Sequence, residues 1–174
     1  MPMPNSNVYT DIVGTGLTLI ESEDGGAFLI DTCNRALAEG HCWGLHEHGY
    51  ADARWREGKE QGGKMRHVYL HRLICRPTAD RPDVDHKNRS NWDCREENLR
   101  ACTVSQNQCN QKIRSDNASG AKGVGLHRAT GKFRARVKIR GVERHLGLFV
   151  TLAEADATVR AARKEFHQEF ARHE

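Results

Sequence analysis

The most regular pattern in the chain is an alternation of apolar and basic residues from 132 to 140, which read Lys-Phe-Arg-Ala-Arg-Val-Lys-Ile-Arg. Successive side chains of a strand point to opposite faces, so this segment predicts a strand with one apolar and one basic face. Gly131 and Gly141 predict turns at its two ends. Segments 122–128 and 144–149 predict a strand on either side, which gives a small three-stranded antiparallel sheet.

A helix is predicted directly after this sheet, starting at about Leu152. Thr151 and Glu154 fit a capping box, in which each side chain binds the backbone amide of the other residue. Apolar residues then recur every three or four positions, at Leu152, Ala155, Val159, Ala162, Phe166 and Phe170. Such a stripe would pack on the apolar face of the sheet and leave its basic face open.

The pattern before residue 117 is less regular and predicts shorter elements. Segments 17–20 and 27–30 predict two strands around a turn at 23–26, whereas 54–64 predicts a hairpin tip or loop and 68–74 fits a strand or a helix start. A strand at 83–86, a polar loop at 88–97, a strand at 99–102 and a helix at about 105–114 follow, with a capping box at Thr103 and Gln106. The expected fold class is α+β, with this ββα unit followed by the three-stranded sheet and its helix.

Small polar residues at 115–120 predict a linker and hence two domains, 1–116 and 117–174. A chain of 174 residues with 37% hydrophobic content and a mean hydropathy of −0.74 favours small cores. No apolar run approaches the ~20 residues that span a bilayer, and the N-terminus lacks the basic and apolar regions of a secretory signal. We therefore expect an intracellular protein with no membrane association.

Six cysteines are spread along the chain without a Cys-x-x-Cys pair. In an intracellular protein we expect them to be reduced and partly buried thiols rather than a disulfide framework. A structural zinc remains an alternative, but it is disfavoured because its candidate ligands lack a regular finger spacing; they are Cys33, His41, Cys42, His46 and His48.

Positive charge is concentrated between residues 118 and 150, where eight basic residues stand against one acid and the net charge is +7. A local excess of this kind indicates a polyanionic partner, and double-stranded DNA is the one we expect. A merely solvated face is the alternative, but such faces usually mix charges of both signs. The candidate DNA contacts are Lys122, Arg128, Lys132, Arg134, Arg136, Lys138, Arg140 and Arg144.

The position of each cation along the central strand predicts what it would contact. A sheet of this width can enter the major groove of DNA, so Arg134 and Arg136 at the strand centre are the expected base readers. Lys132 and Arg140 at the strand ends are the expected phosphate contacts. An RNA-binding protein is a further alternative, but with Phe133 turned inward the basic face offers no aromatic platform for unpaired bases.

Four short motifs rich in His, Asp and Asn occur in order before the linker, at 71–74, 84–88, 98–100 and 105–107. With these residues the chain resembles phage-type HNH homing endonucleases of the ββα-metal class. The second half of the chain resembles the Apetala-type DNA-binding domain of plant ethylene-response factors, which forms the C-terminal domain in one subgroup of these nucleases. The motifs that carry this resemblance lie at 117–120, 122–124, 131–135, 145–149 and 154–157. Three features depart from the family pattern: Phe133 replaces a Trp, Val150 replaces an Asp, and loop 88–97 lacks a Gly.

The resemblance implies a role for each residue of the first motifs. His86 would be the general base, since an imidazole with a pKa near ~6.5 can accept a proton from water at neutral pH. Asp85 and Asn107 would bind one Mg²⁺, for which Mn²⁺ can substitute, because both ions prefer hard oxygen ligands. Asn98 would organise the loop that orients His86, and Asn110 would assist at the phosphate or the metal.

Three basic side chains complete the set of candidates. Arg72 and Arg100 are candidate phosphate contacts, with ordinary salt bridges as the equal alternative, and His71 is expected to pack beneath the site. The resulting hypothesis is a DNA endonuclease that uses one divalent ion, nicks as a monomer, and acts in the host cytoplasm if it is phage-encoded. The alternative is a non-catalytic DNA-binding regulator that uses only the Apetala-type domain.

Overall fold

The computed structural model of the chain describes residues 6–58, 63–111, 113, 115–167 and 170–171. Within these residues the protein is a mixed α+β structure with four small antiparallel sheets and four α-helices. It packs as two compact units, residues 1–102 and 103–174. The α+β prediction is confirmed in this general form.

The two units divide after Cys102, whereas the linker composition predicts a boundary at residue 116. Residues 103–111 pack with the second unit because hydrogen bonds hold the end of their helix there. Lys122 Nζ donates to the carbonyl of Cys109 at 2.9 Å, and Arg163 Nη2 donates to the same carbonyl at 3.2 Å. The last carbonyls of a helix lack internal partners and attract positive charge, so both cations stabilise this end.

The first unit begins with an antiparallel sheet of three strands in chain order, β1 (Val8–Ile12), β2 (Leu17–Glu21) and β3 (Ala27–Asp31). The two strands predicted around the turn at 23–26 are confirmed as β2 and β3. No pattern predicts β1, because its residues are mostly exposed and both of its faces mix apolar with polar side chains.

A second sheet follows a short helix and has the order β4-β5-β6. Its elements are α1 (Arg35–Ala38), β4 (Gly44–Leu45), β5 (Ala51–Glu57) and β6 (Lys64–Tyr69). The prediction of a hairpin tip or loop over 54–64 is wrong at both ends, because β5 continues to Glu57 and β6 starts at Lys64; residues 59–62 lie outside the described part. Backbone pairing of Trp55 with Arg66 extends the ladder although the side chains there are exposed.

The third part of the first unit carries the predicted motifs. Strand β6 leads directly into α2 (Leu70–Cys75), so segment 68–74 contains both a strand end and a helix start. A two-stranded antiparallel ladder then forms between β7 (Asp83–His86) and β8 (Leu99–Cys102). Residues from all these elements share one hydrophobic core, including Phe28, Trp43, Leu70 and Leu99.

The loop between β7 and β8 is held on the first sheet by backbone hydrogen bonds. The amide of Leu29 in β3 donates to the carbonyl of Trp92 at 2.9 Å, and the amide of Cys94 donates to the carbonyl of Leu29 at 2.8 Å. This short parallel bridge fixes the middle of a loop that contains only polar signals in the sequence. The N-terminal sheet therefore supports the loop beside the predicted site.

The second unit confirms the predicted order of a helix, three strands and a helix. The elements are α3 (Val104–Asn110), β9 (Val124–His127), β10 (Lys132–Ile139), β11 (Val142–Phe149) and α4 (Leu152–His167), with β10 in the middle of the sheet. The capping box of Thr103 and Gln106 is confirmed, and so is that of Thr151 and Glu154. Helix α3 ends at Asn110, earlier than predicted, because Gln111 is extended.

The core of the second unit lies between the sheet and α4, as the apolar stripe predicts. Ala135 and Val137 are buried on β10, and Ala155 and Val159 are buried on the helix. Phe166 departs from the prediction because it is 48% exposed. No helix of the described residues is long and apolar enough to cross a membrane.

Candidate functional site

Asp85 and His86 lie next to each other on β7, and each is only 5% exposed. The ladder with β8 is regular, pairing Asp85 with Arg100 and His86 with Leu99. Their side chains therefore leave opposite faces of the ladder, since successive strand residues alternate. The sequence motif thus places an acid and an imidazole at one point of the backbone but in two different surroundings.

The Asp85 carboxylate is bound by Arg100 from the facing strand. Oδ2 accepts hydrogen bonds from Nε at 2.8 Å and from Nη2 at 2.6 Å. The two side chains are 6% and 12% exposed, so this is a buried ion pair. Of the two alternatives for Arg100, the structure places it in a salt bridge, where it neutralises the candidate metal ligand.

The His86 ring lies in a cluster of aromatic and imidazole rings. Its centroid is 5.1 Å from that of His71, edge to face, and 5.8 Å from that of Tyr50. Burial lowers the pKa of His86 below its usual range, although the charges of Asp85 and Asp93 partly oppose that shift. The imidazole is therefore neutral at neutral pH, which is the form that can accept a proton.

His71, on α2, packs against His86 as expected from the sequence, and it is 7% exposed. Burial, followed by the charges of His86 and Arg72, lowers its pKa to about 3. Its ring stacks on that of Tyr69, with centroids 5.3 Å apart and planes 19° apart. Among the described residues, the buried His71 Nδ1 has no hydrogen-bond partner. This second imidazole therefore remains uncharged beside His86.

Asn98 holds the loop that follows His86. Its Oδ1 accepts the amide of Asn88 at 2.9 Å, and its Nδ2 donates to the carbonyl of Asp93 at 2.7 Å. The carbonyl of Asn98 also accepts the amide of Lys87 at 2.9 Å. The buried side-chain amide of Asn98 thus fixes two points of the loop and its backbone carbonyl a third, which is the geometry expected of a loop organiser.

The sequence did not reveal a second residue that holds this loop in place, the carboxylate of Asp93. The Asp93 carboxylate, 1% exposed, accepts two hydrogen bonds from Arg95, at 2.8 Å to each oxygen. These bonds hold the pKa of Asp93 below its usual range. Asn88 Nδ2 also donates to this carboxylate at 2.8 Å. An Asp two residues before an Arg is too common in polar loops to have signalled this pair.

A tight turn directly after β7 begins the loop. The amide of Arg89 donates to the carbonyl of His86 at 2.9 Å, which closes a tight turn. Arg89 itself has a φ of 64°, in the left-handed region that glycine normally occupies. Arg89 therefore holds this turn in a backbone conformation that is strained for a non-glycine residue.

The remaining candidates of the first motifs are distributed between the units. Asn107 and Asn110 lie on α3 and belong to the second unit, whereas Asp85, His86 and Asn98 belong to the first. Asn110 is 6% exposed. In the first unit, Arg72 Nη2 donates to the carbonyl of Pro82 at 2.8 Å, just before β7.

The basic face of β10 is open, but one acid lies on it. Arg136 Nη1 is 3.2 Å from both carboxylate oxygens of Glu143 on β11. A bulge between Ala135 and Arg136 shifts the pairing of the two strands at this point. The one acid of this stretch therefore pairs with Arg136.

The other predicted DNA contacts differ in how freely they can reach a ligand. The cations that are exposed are Arg128, Lys132, Lys138, Arg140 and Arg144. Arg134 is half-buried, and its Nε has no hydrogen-bond partner among the described residues. Lys122 instead donates to the carbonyls of Cys109 and Gln111 at the end of α3.

The first unit provides one charged oxygen ligand for a metal at this site. Among the described residues, no three side chains of His, Cys, Asp or Glu are grouped as a metal site. A carboxylate and an amide oxygen suit Mg²⁺ or Mn²⁺, so Asp85 and Asn107 fit these ions in chemical type. The cysteines are free thiols, and burial raises the pKa of Cys94 and of Cys102 to about 12.

Comparison of the chain with protein family models, with curated proteins and with solved structures finds no match.

Proposed function

We propose that this protein is an HNH-type DNA endonuclease that hydrolyses phosphodiester bonds with one divalent metal ion. The observation that carries the proposal is the neutral, buried imidazole of His86, which directly follows a buried carboxylate and precedes a loop fastened by Asn98. A structural role alone does not require a strand to bury two adjacent titratable side chains, since each burial costs free energy.

His86 is the proposed general base. Its lowered pKa leaves the ring nitrogen able to take a proton from a water molecule, so that the resulting hydroxide can attack phosphorus. His71 and Tyr50 confine the ring from two sides and exclude bulk water from it. Asn98 keeps the following loop in one conformation and so acts as a positioning residue.

Asp85 would hold Mg²⁺ or Mn²⁺, which would stabilise the charge on the scissile phosphate and on the leaving 3′ oxygen. One oxygen of Asp85 is already bound by Arg100. That ion pair keeps the carboxylate in one orientation, because the guanidinium approaches from a fixed position on the facing strand. Arg100 is therefore a positioning residue for Asp85 in this proposal, rather than a phosphate contact.

The second unit is proposed to supply affinity for duplex DNA through the basic face of β10. Exposed cations at the ends of the strand would meet phosphates, and Arg134 near its centre would reach base edges. A single cleavage site in each chain would cut one strand at a time, so we propose that a monomer nicks its substrate.

A supercoiled-plasmid assay tests the proposal directly. The wild-type chain should convert supercoiled plasmid to the open circular form with Mg²⁺ and not with EDTA, whereas His86→Ala should be inactive. Nicking that persists in EDTA, or that His86→Ala retains in full, would refute the proposed mechanism.

A non-catalytic DNA-binding regulator is the second candidate, favoured by the buried Asp85–Arg100 pair. A carboxylate neutralised by arginine binds a divalent ion less strongly than an unpaired one, so the pair is equally consistent with a purely structural role. Duplex binding without nicking, in Mg²⁺ and in Mn²⁺, would favour this candidate.

A further inference from the structure

The hairpin of β5 and β6 extends beyond the packed body of the first unit. Its base is buried at Ala51, Asp52 and Ala53, but the residues from Arg54 to Glu57 and from Lys64 to His67 are exposed. Two strands that are exposed on both faces form a projecting ribbon, and such ribbons can lie in a groove of DNA.

One face of this ribbon is basic, and we name it the arm face: Arg54, Arg56, Met65 and His67. The register pairs Arg54 with His67 and Arg56 with Met65, so all four side chains lie on the same side. Arg54 is 57% exposed, Met65 is 56% exposed, and Arg56 is exposed. Among the described residues, Arg56 has neither an ion pair nor a hydrogen bond.

Asp52 at the base of the ribbon orients Arg54 and His67 of the arm face. Its carboxylate, only 7% exposed, accepts a hydrogen bond from Arg54 Nε at 2.7 Å and lies 3.3 Å from His67 Nε2. The bond engages Nε, and the Arg54 side chain is 57% exposed, so its terminal nitrogens are the part of the guanidinium that could bind a phosphate. Asp52 thus fixes the position of Arg54 at the base of the arm face.

The arm face is continuous with the candidate catalytic imidazole. The ring centroids lie 5.1 Å apart from His86 to His71, 5.3 Å from His71 to Tyr69, and 4.3 Å from Tyr69 to His67. Tyr69 follows the arm-face residues on the same side of β6, since it pairs with Asp52. A row of ring contacts thus connects His86 to His67, and His67 pairs with Arg54 across the ribbon.

We propose that the arm face binds the sugar–phosphate backbone of duplex DNA next to the cleavage site. This inference rests on the proposed endonuclease function and adds a second DNA contact, within the first unit. Tyr69 and Met65 are separated by about 14 Å of strand at ~3.4 Å per residue. That length equals about four base pairs at ~3.4 Å per pair, so the arm face should run along the phosphates of about four consecutive pairs beside the cleavage site.

The opposite face of the same ribbon is built differently and offers a matched control. Arg66 donates from Nε to Glu57 at 2.5 Å, and the Trp55 ring lies 5.4 Å from that of His41. Both side chains therefore have partners within the first unit. Replacing Arg66 removes the same charge from the same hairpin without touching the arm face.

The experiment compares the full chain with Arg56→Ala and Arg66→Ala. Affinity for a random-sequence duplex is measured in EDTA at several salt concentrations, and plasmid nicking is measured in Mg²⁺. Arg56→Ala should weaken binding and flatten the slope of log K against log salt by about one unit, the effect of one lost phosphate contact. Arg66→Ala should leave the slope unchanged. On a duplex carrying the mapped nick, Arg56→Ala should also lose protection of backbone phosphates to one side of the nick.

The outcomes separate this inference from the proposed function. If the wild-type chain nicks but Arg56→Ala and Arg66→Ala bind alike, the arm inference is wrong and the endonuclease stands. If the wild-type chain never nicks but only Arg56→Ala loses the salt-dependent contact, the endonuclease is wrong and the arm remains a DNA contact. Tighter binding to single-stranded than to duplex DNA would overturn the arm inference.

Discussion

Arg100 and Asp85 face each other across the β7–β8 ladder, and the guanidinium donates two hydrogen bonds to one carboxylate oxygen. The residue proposed to bind a metal ion is thus paired with a cation from the neighbouring strand. Asp85 is buried and Arg100 is partly buried, so each depends on the other for its charge to be tolerated. Substitution of either residue therefore tests both the stability of the first unit and the proposed metal site.

Arg100→Gln should destabilise the first unit by about 3 kcal/mol, because it leaves a buried carboxylate without its ion-pair partner. The double variant Asp85→Asn, Arg100→Gln should recover much of that loss, since both charges are then absent. Urea denaturation checks the stability of each variant. Equal stability of the single and double variants would show that the pair is not coupled.

The same variant also tests the metal. Without Arg100, the Asp85 carboxylate is no longer neutralised, so Arg100→Gln should reach half-maximal nicking at a lower Mg²⁺ concentration than the wild type. The Mg²⁺ titration should be carried out at a temperature where the variant remains folded. A higher requirement would show that the orientation Arg100 gives to Asp85 outweighs the charge it neutralises, whereas an unchanged requirement would argue against Asp85 as a ligand.

His86→Ala should lower the rate of nicking by about 10²–10⁴-fold, the usual cost of losing a general base. Duplex affinity should stay near the wild-type value, because His86 lies outside both basic surfaces. Single-turnover nicking and fluorescence anisotropy measure the two quantities. His48→Ala provides the control, since that histidine is exposed in the same unit.

The pH dependence of nicking follows from the lowered pKa of His86. A general base must be unprotonated, so kcat/KM should rise with pH through a pKa below the usual ~6.5 of histidine and then stay level through neutral pH. Measurement of the initial rate from acid to neutral pH checks this. A midpoint above pH ~6.5 would contradict the assignment.

His71 should make the first unit less stable in acid. Its pKa is about 3 when folded, against ~6.5 when unfolded, so between these values the unfolded chain binds the extra proton. Its contribution to the free energy of unfolding is complete above pH ~6.5 and is lost as the pH falls towards 3. His71→Phe should weaken this acid dependence in urea titrations at several pH values, whereas His48→Phe should not.

Glu143→Gln should tighten binding to all duplexes, because the acid lies in the basic face and pairs with Arg136. The change removes a negative charge facing the phosphates and releases the guanidinium for DNA. Glu165→Gln, an exposed acid on α4, is the matched control. If both variants bind as the wild type does, Arg136 is not part of the DNA surface.

The second unit was largely predictable from the sequence because its pattern is local. Strand β10 alternates without interruption, and the capping box at Thr151 marks the start of α4. Phe166 followed the helical spacing but is exposed. Periodicity identifies which residues share a helix face, but it does not tell how far along the helix the sheet extends.

The first unit was harder to predict because its elements depend on distant contacts. The exposed strand residues around Trp55 show no alternation, and that hairpin is maintained by backbone pairing together with ion pairs such as Arg66–Glu57, which the pattern does not reveal. The motif identified Asp85, His86 and Asn98, but nothing near them in sequence pointed to Tyr50 or Tyr69. Both tyrosines reach the histidine cluster through the fold of the second sheet.

The bridge between Leu29 and the loop after β7 has a consequence for how the site assembles. During synthesis the N-terminal sheet emerges first, yet its partner segment around Cys94 emerges only after most of the first unit. Contacts between such distant segments close slowly, because the chain between them must first be ordered. Leu29 and Cys94 should therefore gain protection from hydrogen exchange together and late, and the loop that carries Asn98 should be among the last parts of the first unit to become ordered.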